Sequence, residues 1–444
     1  MRLDIRLESH DFPIGTLKRE DNLALNFQYS EDFLNDDLIM PISLGLPLRH
    51  EPYSDLECRS FFQNLLPEND QVERTANREG LDRADIAGLL YHLGADCAGA
   101  ISCLPYGSEA IKKPGIIQED YDELNEEVIN DIVSRLANRE PLPTEITDPS
   151  PVAGVQRKIA LTFRPDGTYA LPKKGSRVPT THILKVPRSR DSRDTLLEMA
   201  AAVLADQCNL DTSIPAAIKF GDHEALLIKR FDREVDETGA VRRIHQEDFA
   251  QALGIASEMK YERYGVEGRT FNTENIRKVL DNCIRPAEAR DAFMKATIFN
   301  LAIGNTDNHA KNFALLYDTG PIPRLAPLYD MLPIKLSDEY THELAFKIGN
   351  AATGDDITRD DFNLFFNQMG LTATAYERFR NESIREILVT LDKSSEELLV
   401  QNGLRDFDCL FGVEAERIAD TLDLEIDFKE RDFFTATAGG WNFS

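Results

Sequence analysis

The sequence predicts an α+β fold with two lobes, because strand-like segments dominate its first half and helical segments its second. LDIRL, KIALTF and THILKV contain the apolar alternation and β-branched residues that are typical of strands. After HQEDFAQALG, almost every segment up to residue 425 has helical spacing. A doubly wound sheet would alternate strands with helices along the whole chain, so this order favours an α+β fold.

The composition is ordinary for a globular protein. The chain has 444 residues, of which 42% are hydrophobic and 29% charged, enough for two or three domains with a sizeable core. We find no signal-peptide pattern and no run of eighteen apolar residues, so no membrane association is expected. The six cysteines form no CxxC pair, which favours reduced thiols in a cytoplasmic protein over disulfides.

The net charge of −27 argues against autonomous nucleic-acid binding, because so acidic a chain repels a phosphate backbone. Contact with DNA would require a basic partner. A local nucleotide site is still compatible with this charge, since a bound metal ion outweighs the global field there.

Four segments follow one another along the chain. Residues 1–105 read as a small, mixed, strand-rich domain, and 106–150 as a linker with one helix and a Pro-rich end. Residues 151–245 are again strand-rich and form the first lobe of the main fold. Residues 246–444 form the second lobe, which we expect to be all-helical.

The second lobe contains a pattern that suits phosphoryl transfer. In GNTDNHAKN, Asp307 and Asn312 form D-x-x-x-x-N, in which the acid accepts the proton of an attacking hydroxyl and the amide ligates Mg²⁺. Asp330, in LAPLYDMLP, would supply a second oxygen ligand. Each residue also has a plain structural explanation: an Asx-rich turn between helices for the first two, and a turn-initiating Asp for the third.

The first lobe contains residues suited to binding a nucleotide. Lys185 ends the THILK strand and could hold phosphates if Glu198, on the next helix, kept it in place; otherwise it is a surface lysine. Gly154 offers a flexible turn near Lys158, although PSPVAGVQRKIAL matches neither a Walker A loop nor G-x-G-x-x-G. Phe231, in the expected connector LLIKRFDRE, could cover an adenine or belong to the core.

The order of these features is that of a protein-kinase-like phosphotransferase. Six ordered motifs also resemble the HipA family of type II toxin–antitoxin serine/threonine kinases: VAGVQRKIAL, THILKVP, LLIKRFDRE, HQEDFAQALG, GNTDNHAKNFAL and LAPLYDMLP. FFQNLLPEND and GADCAGAIS are similar to motifs of that family's N-terminal domain. The resemblance covers nearly the whole chain.

The resemblance implies a phosphatidylinositol-kinase-like, two-lobed fold that uses ATP and Mg²⁺. It makes Lys185 the ATP-binding lysine, Asp307 the catalytic acid, and Asn312 and Asp330 the metal ligands. The resemblance also implies roles by position. Lys311 would neutralise the transferred phosphoryl group, and His309 would either share that role or brace the loop. Phe231 and Gln246 would line the nucleotide pocket.

The resemblance also implies partners and regulation. Family members phosphorylate themselves in the loop before VAG, where the serine directly precedes a small apolar residue. Here Pro151 intervenes, so Ser150 is displaced by one position. The implied partner is a HipB-like helix-turn-helix antitoxin dimer that binds operator DNA, and the implied substrate is a protein serine, with an aminoacyl-tRNA synthetase as the familiar target.

Two other functions stay open at this point. A small-molecule phosphotransferase of the aminoglycoside or choline type shares D-x-x-x-x-N and a later metal acid, but the N-terminal domain and the order of the motifs disfavour it. A non-catalytic, antitoxin-binding corepressor with a kinase-like fold is the alternative from another class. It would be expected to lack one of four key residues, all of which are present: Lys185, Asp307, Asn312 and Asp330.

Overall fold

A computed structural model describes residues 1–37, 39–67, 70–111, 113–143, 146, 158–176, 178–187, 192–318 and 320–431. Two predicted residues, Ser150 and Gly154, lie outside the described residues. The chain forms two compact units. The first unit comprises the described parts of Met1–Thr195, Pro215–Met259 and Ala314–Ala326, and the second those of Leu196–Ile214, Lys260–Phe313 and the chain from Pro327 onward. The predicted division into four segments stays a prediction.

The strands and helices of the described residues have the following bounds. The strands are β1 (Arg2–Leu7), β2 (Gly15–Arg19), β3 (Leu25–Tyr29), β4 (Ile101–Pro105), β5 (Gly115–Ile116), β6 (Tyr121–Leu124), β7 (Lys158–Phe163), β8 (Tyr169–Pro172), β9 (His182–Lys185), β10 (Ala216–Phe220), β11 (His223–Lys229), β12 (Arg233–Val235), β13 (Ala240–Arg243), β14 (His245–Asp248), β15 (Ala314–Tyr317), β16 (Arg324–Leu325), β17 (Glu343–Ile348) and β18 (Ala351–Thr353). The helices are α1 (Glu31–Leu34), α2 (Asp55–Phe62), α3 (Asp70–Glu79), α4 (Ile86–Leu93), α5 (Glu126–Asn138), α6 (Ser192–Gln207), α7 (Phe249–Ala252), α8 (Thr273–Leu280), α9 (Pro286–Ala302), α10 (Arg359–Gln368), α11 (Ala373–Phe379), α12 (Arg385–Ser395) and α13 (Arg405–Thr421).

The N-terminal part of the first unit is an antiparallel sheet with the strand order β3-β2-β1-β4. Leu3, Ile5 and Leu7 of β1 are buried in one core with residues of α2 and α4, as the alternation in LDIRL predicts. Asp85 caps α4 by accepting a hydrogen bond from the Gly88 N–H. The described part of residues 1–105 therefore contains a four-stranded sheet packed on short helices.

The rest of the first unit is built around a six-stranded sheet with the order β10-β11-β9-β7-β8-β6. The predicted helix of the linker is α5, whose buried residues pack into the same core as Leu161 and Leu184 of the sheet. β7 pairs with β9 so that Lys158 lies directly opposite Lys185. The sheet thus places two of the predicted nucleotide-binding lysines on neighbouring strands.

The region after residue 246 is not wholly helical, so that part of the prediction is wrong. β14, β15 and β16 form a three-stranded sheet, and β17 pairs with β18 in a hairpin. The four residues of β15, ALLY, are all buried and run only from Ala314 to Tyr317. A run this short cannot form a stable helix, and pairing with β14 satisfies its backbone groups. The predicted connector LLIKRFDRE likewise begins inside a strand, β11.

Within the first unit, the N-terminal sheet is tied to the segment from Arg243 to Glu247. The Arg243 guanidinium lies 2.7 Å from Glu8 and 3.0 Å from Asp96, and each of these three side chains is less than 7% exposed. Gly99 has a φ of +67°, and a Cβ there would come within 2.5 Å of the Gln246 backbone nitrogen. Buried ion pairs and close backbone packing therefore hold this segment in place.

Glu247 is fully buried at the same contact. Its carboxylate accepts hydrogen bonds from the Ser43 hydroxyl (2.5 Å), the Leu44 N–H (3.0 Å) and the Tyr317 hydroxyl (2.5 Å). Burial raises the pKa of Glu247 to about 7 from its ordinary 4.5, although the three donors oppose the shift. The folded protein therefore holds a proton here that the unfolded chain releases between pH 4.5 and 7.

We expect Glu247→Gln to remove a pH dependence of stability. In the wild type, the contribution of Glu247 falls as pH rises from 4.5 to about 7 and is constant above that. Across this pH window, the free energy of unfolding of the variant should rise by about 3 kcal/mol relative to that of the wild type. Urea titrations from pH 4.5 to 8 measure it, with Glu234→Gln, at an exposed position of β12, as the control. Parallel pH profiles for wild type and Glu247→Gln would contradict the assignment.

The second unit is mainly helical and encloses an aromatic cluster. Phe313 packs on Phe293 with ring centroids 4.8 Å apart, and Phe293 contacts Phe346 of β17 at 5.8 Å. A π-helical turn at Arg380–Ile384 joins α11 to α12, and a second one, Glu396–Val400, follows α12. No helix in the described part of the chain combines the length and the apolar character needed to cross a membrane. All six cysteines are free and buried.

Candidate active site

The candidate catalytic loop, residues 304–313, begins where α9 ends. Pro286 starts this helix at a position that suits proline, because its nitrogen needs no hydrogen-bond partner there. Gly304 follows the helix with a φ of +70°, and a Cβ there would lie 2.8 Å from the Leu410 side chain. A glycine is therefore required both for the left-handed turn and for the space.

The polar residues of this loop pair largely with one another, which explains how the chain can bury them. Asn305 donates to Asn300 Oδ1 over 2.8 Å and accepts the Asp307 N–H over 3.1 Å. Asn312 Nδ2 donates to the Asp307 carbonyl at 2.8 Å, and this bond closes the part of the loop between the two residues. Asn305, Thr306, Asn308 and His309 are only 4% to 7% exposed. Satisfied hydrogen bonds remove most of the cost of burying such groups.

Asp307 lies half-buried in this loop with its carboxylate held by a tyrosine. The Tyr261 hydroxyl donates to Asp307 Oδ1 over 2.5 Å. Burial raises the pKa of Asp307 above its ordinary value, and the nearby charge of Asp330 raises it further. The Tyr261 hydrogen bond and the charges of Lys260 and Arg263 act in the opposite direction. A carboxylate with a raised pKa is a better proton acceptor than an ordinary one.

Asp330 is exposed and has a left-handed backbone, with a φ of +56°. Non-glycine residues adopt this conformation rarely and at a cost in free energy, and they cluster at functional sites. Neighbouring contacts hold it: the Leu328 N–H donates to the Asp211 carbonyl at 2.8 Å, and the Tyr329 hydroxyl donates to the Lys311 carbonyl at 2.7 Å. The second bond ties the Asp330 segment directly to the catalytic loop.

The donor set around Asp307 fits Mg²⁺. Because Asn312 uses its Nδ2 to hold the loop, its Oδ1 is the atom that can ligate a cation. Asp330 is close enough to Asp307 to raise the pKa of that carboxyl, so two negative charges share the site. Mg²⁺ typically takes one or two carboxylates from the protein and completes its shell with phosphate and water.

His309 and Lys311 lie on the same loop, on either side of Ala310. His309 packs edge-to-face against the Tyr261 ring, with centroids 5.1 Å apart at 86°. Lys311 is 9% exposed, within the single 3₁₀ turn Ala310–Asn312. The histidine contact suits a bracing role, which was one of the two roles considered for it. The five predicted residues of the catalytic group thus lie together in the second unit: Asp307, His309, Lys311, Asn312 and Asp330.

The predicted nucleotide-binding lysines lie in the first unit. Lys158 and Lys185 are Cα partners on β7 and β9, so their side chains leave the same face of the sheet. Directly opposed residues have Cβ atoms about 4.5–5.5 Å apart, so both side chains extend from the same small area of the sheet. Glu198 is buried on α6 in the second unit, and its predicted ion pair with Lys185 stays a prediction.

Phe231 and Gln246 also lie in the first unit. Phe231 is half-buried in a turn that is held by a buried ion cluster, in which Asp232 lies 2.8 Å from both Arg230 and Arg233. Gln246 is on β14, opposite Leu316 of β15. Its Oε1 is buried and accepts no hydrogen bond from the described residues. This oxygen is therefore an acceptor that a bound ligand could use.

Three residues of the site were not predicted. Tyr261 contacts Asp307 from 46 positions away, Asn305 organises the loop backbone, and Tyr329 joins the loop to the Asp330 segment. Asn305 lies within GNTDNHAKN and Tyr329 within LAPLYDMLP, so their position was a usable signal. Nothing in the spacing of KYERYG points to Tyr261.

Family models match two parts of the chain. A model described as the HipA-like C-terminal domain matches residues 150–396, and one described as the HipA N-terminal domain matches residues 3–104. The first contains the catalytic loop and both lysine strands, and the second contains the N-terminal sheet.

Individual relatives agree with these matches. The chain is 37% identical over 360 residues to the putative kinase Y4mE of Sinorhizobium fredii, covering 81% of this chain and 84% of that protein. It is 27% identical over 419 residues to the serine/threonine-protein kinase toxin HipA of Shewanella oneidensis, covering 88% and 92%.

A solved structure shows the fold. One chain of a solved complex of HipA, HipB and operator DNA from Shewanella oneidensis superposes on this chain with a TM-score of 0.77. The two chains are 23% identical, and the match covers 96% of this chain and 100% of the other. The predicted kinase-like α+β fold class is confirmed by this match.

Proposed function

Because the chain belongs to the HipA family, we propose that it is an ATP-dependent protein kinase that acts as the toxin of a toxin–antitoxin module. It transfers the γ-phosphoryl group of ATP to a serine or threonine of another protein. The observation that carries this proposal is the half-buried Asp307 carboxylate, held by Tyr261 in a loop that also presents Asn312 and lies beside Asp330.

Asp307 is the group that receives the proton of the acceptor hydroxyl. Its raised pKa and fixed orientation suit a base that acts only on a hydroxyl brought next to it. Asn312 and Asp330 would hold Mg²⁺, which when bound lowers the negative charge of the phosphates. Lys311 adds a positive charge within the same loop. The chain's own residues therefore orient the hydroxyl, accept its proton and offset charge.

Residues of the first unit bind the nucleotide. Lys158 and Lys185, opposed on neighbouring strands, bind the phosphates. Gln246 offers its buried Oε1 to a donor such as the exocyclic amine of adenine. Phe231 supplies an apolar surface for the base, and Glu198 is proposed to hold Lys185.

We propose a helix-turn-helix antitoxin as the partner of this chain. A relative of the same fold has been solved together with HipB and operator DNA. With a net charge of −27, this chain is unsuited to holding DNA by itself, and a basic antitoxin dimer would provide that contact. We further propose an aminoacyl-tRNA synthetase as the class of substrate and Ser150 as an autophosphorylation site.

The test is intact-mass analysis of the purified chain and of Asp307→Ala, before and after incubation with Mg-ATP. A gain of about 80 Da per phosphate, seen only in the wild type, is the expected result, because transfer requires the carboxylate. Peptide mapping of the modified chain then tests Ser150. Equal gains in both proteins would refute the role of Asp307.

A chain that gains no phosphate is tested further by calorimetry with Mg-ATP and by incubation with a synthetase mixture. Binding of Mg-ATP with phosphorylation of an added protein supports a kinase that acts only on other proteins. Absence of Mg-ATP binding would instead support the non-catalytic corepressor.

A further inference from the structure

Tyr261 contacts the catalytic loop through both its hydroxyl and its ring. Its hydroxyl lies 2.5 Å from Asp307 Oδ1, and its ring packs edge-to-face on His309 at 5.1 Å. Tyr261 therefore touches two residues of the catalytic loop, one through its polar tip and one through its apolar ring. It lies outside GNTDNHAKNFAL, the sequence motif that contains both of those residues.

The segment that carries Tyr261 is fixed on both of its sides. The Ala310 N–H donates to the Lys260 carbonyl over 3.0 Å, so the backbone of the segment joins that of the catalytic loop. The Arg263 guanidinium lies over the Tyr261 ring at 4.2 Å. Arg263 in turn contacts β17, pairing with Glu343 at 3.5 Å and donating to the Leu344 carbonyl at 3.3 Å. The ring is thus held in one orientation before any substrate arrives.

We propose that Tyr261 is a positioning residue for the phosphoryl-transfer reaction. Its hydroxyl holds Oδ1 of Asp307, so that Oδ2 is the oxygen presented to the acceptor hydroxyl. Its ring keeps His309, and with it the 3₁₀ turn Ala310–Asn312 that follows, in register. The inference rests on the proposed kinase function.

The chemistry of the pair fits this role. A phenol donates to the ionised carboxylate, so the bond is strongest while Asp307 is ready to receive a proton and weakens once it has done so. Tyr261 therefore holds the ionised carboxylate in one orientation until the proton is transferred.

The test is the carboxyl ¹³C chemical shift of Asp307, measured by NMR at one fixed pH on the full chain labelled with ¹³C at the aspartate carboxyls. The signal that is missing in Asp307→Asn identifies the residue. Tyr261→Phe should move this signal, because the hydrogen bond to Oδ1 is lost. Tyr264→Phe is the matched control, since it removes an exposed neighbouring hydroxyl that makes no side-chain hydrogen bond with the described residues. An Asp307 signal that is the same in both variants would overturn the proposal.

A second variant separates the ring from the hydroxyl. Tyr261→Leu should move the NMR signals of the His309 ring, whereas Tyr261→Phe, which keeps the aromatic contact, should leave them in place. Circular dichroism confirms that each variant is folded. His309 signals that move equally in both variants would contradict the role given to the ring.

Phosphate uptake from Mg-ATP supplies the readout that tells two failures apart. If the wild type transfers phosphate, kcat should fall about tenfold in Tyr261→Phe, with the KM for ATP unchanged, because the base is no longer held in place. An unchanged kcat in an active enzyme would overturn this inference alone. A wild type without any transfer would overturn the proposed function, while the NMR result would still decide whether Tyr261 controls Asp307.

Discussion

Asp307→Asn is expected to slow phosphoryl transfer by about 10²–10⁴-fold, the usual contribution of a positioned acid or base. Asparagine has the same shape and can still accept the Tyr261 hydrogen bond through Oδ1. It cannot receive a proton from the acceptor hydroxyl. Affinity for Mg-ATP should change by no more than about twofold, because this residue acts on the hydroxyl and not on the nucleotide. Rates are measured from the mass gain and affinities by calorimetry.

Asp330→Asn is the matched control, since it makes the same change in the other carboxylate of the site. It should weaken binding of Mg-ATP while leaving the affinity for ATP without metal unchanged, because a ligand of the metal is lost. Comparable loss of Mg-ATP affinity in both variants would place Asp307 in the metal site instead. Wild-type rates in Asp307→Asn would contradict the assignment of the base.

Arg243→Met is expected to lower the free energy of unfolding by about 3–5 kcal/mol, as is usual when one partner of a buried ion pair is removed. The guanidinium lies 2.7 Å from Glu8 and 3.0 Å from Asp96, and it also donates to the Ile101 carbonyl and the Ser102 hydroxyl. Methionine leaves two buried carboxylates without their counter-charge. Urea denaturation at neutral pH measures the change.

Arg242→Met provides the control for this substitution on the adjacent residue. The Arg242 side chain is 59% exposed and pairs with Asp236 at 3.4 Å, so its loss should cost at most about 1 kcal/mol. Similar destabilisation by both substitutions would show that the buried network contributes little. The predicted difference depends on burial, since both arginines have carboxylate partners.

Much of the fold could be predicted because its elements are specified locally. Alternation in LDIRL marks β1, and the helical spacing from Val128 to Leu136 marks α5. Short strands are different, because an apolar run of four residues such as β15 has no period of its own. Only its partner β14, almost seventy positions earlier in the chain, makes it a strand. The all-helical prediction for this region was wrong for that reason.

The candidate site likewise contains residues that could be predicted from local sequence and residues that could not. Asp307, Asn312 and Asp330 were predictable, because a recognisable chemical pattern fixes their types and spacing. The opposition of Lys158 and Lys185 required the register of two strands, which spacing alone does not supply. The contact between Tyr261 and Asp307 joins distant segments through one hydroxyl, and no local rule anticipates it.

The contact between the N-terminal sheet and the segment from Arg243 to Glu247 constrains how this protein can evolve. Arg243 needs carboxylates supplied by residues 8 and 96, and Glu247 needs donors from residues 43 and 44. A recombination event that replaced the first hundred residues alone would leave these buried groups without partners, unless the incoming sequence supplied matching ones. The two regions should therefore be inherited together, and chimaeras of relatives should fold only when both come from the same parent or from parents that share these buried partners.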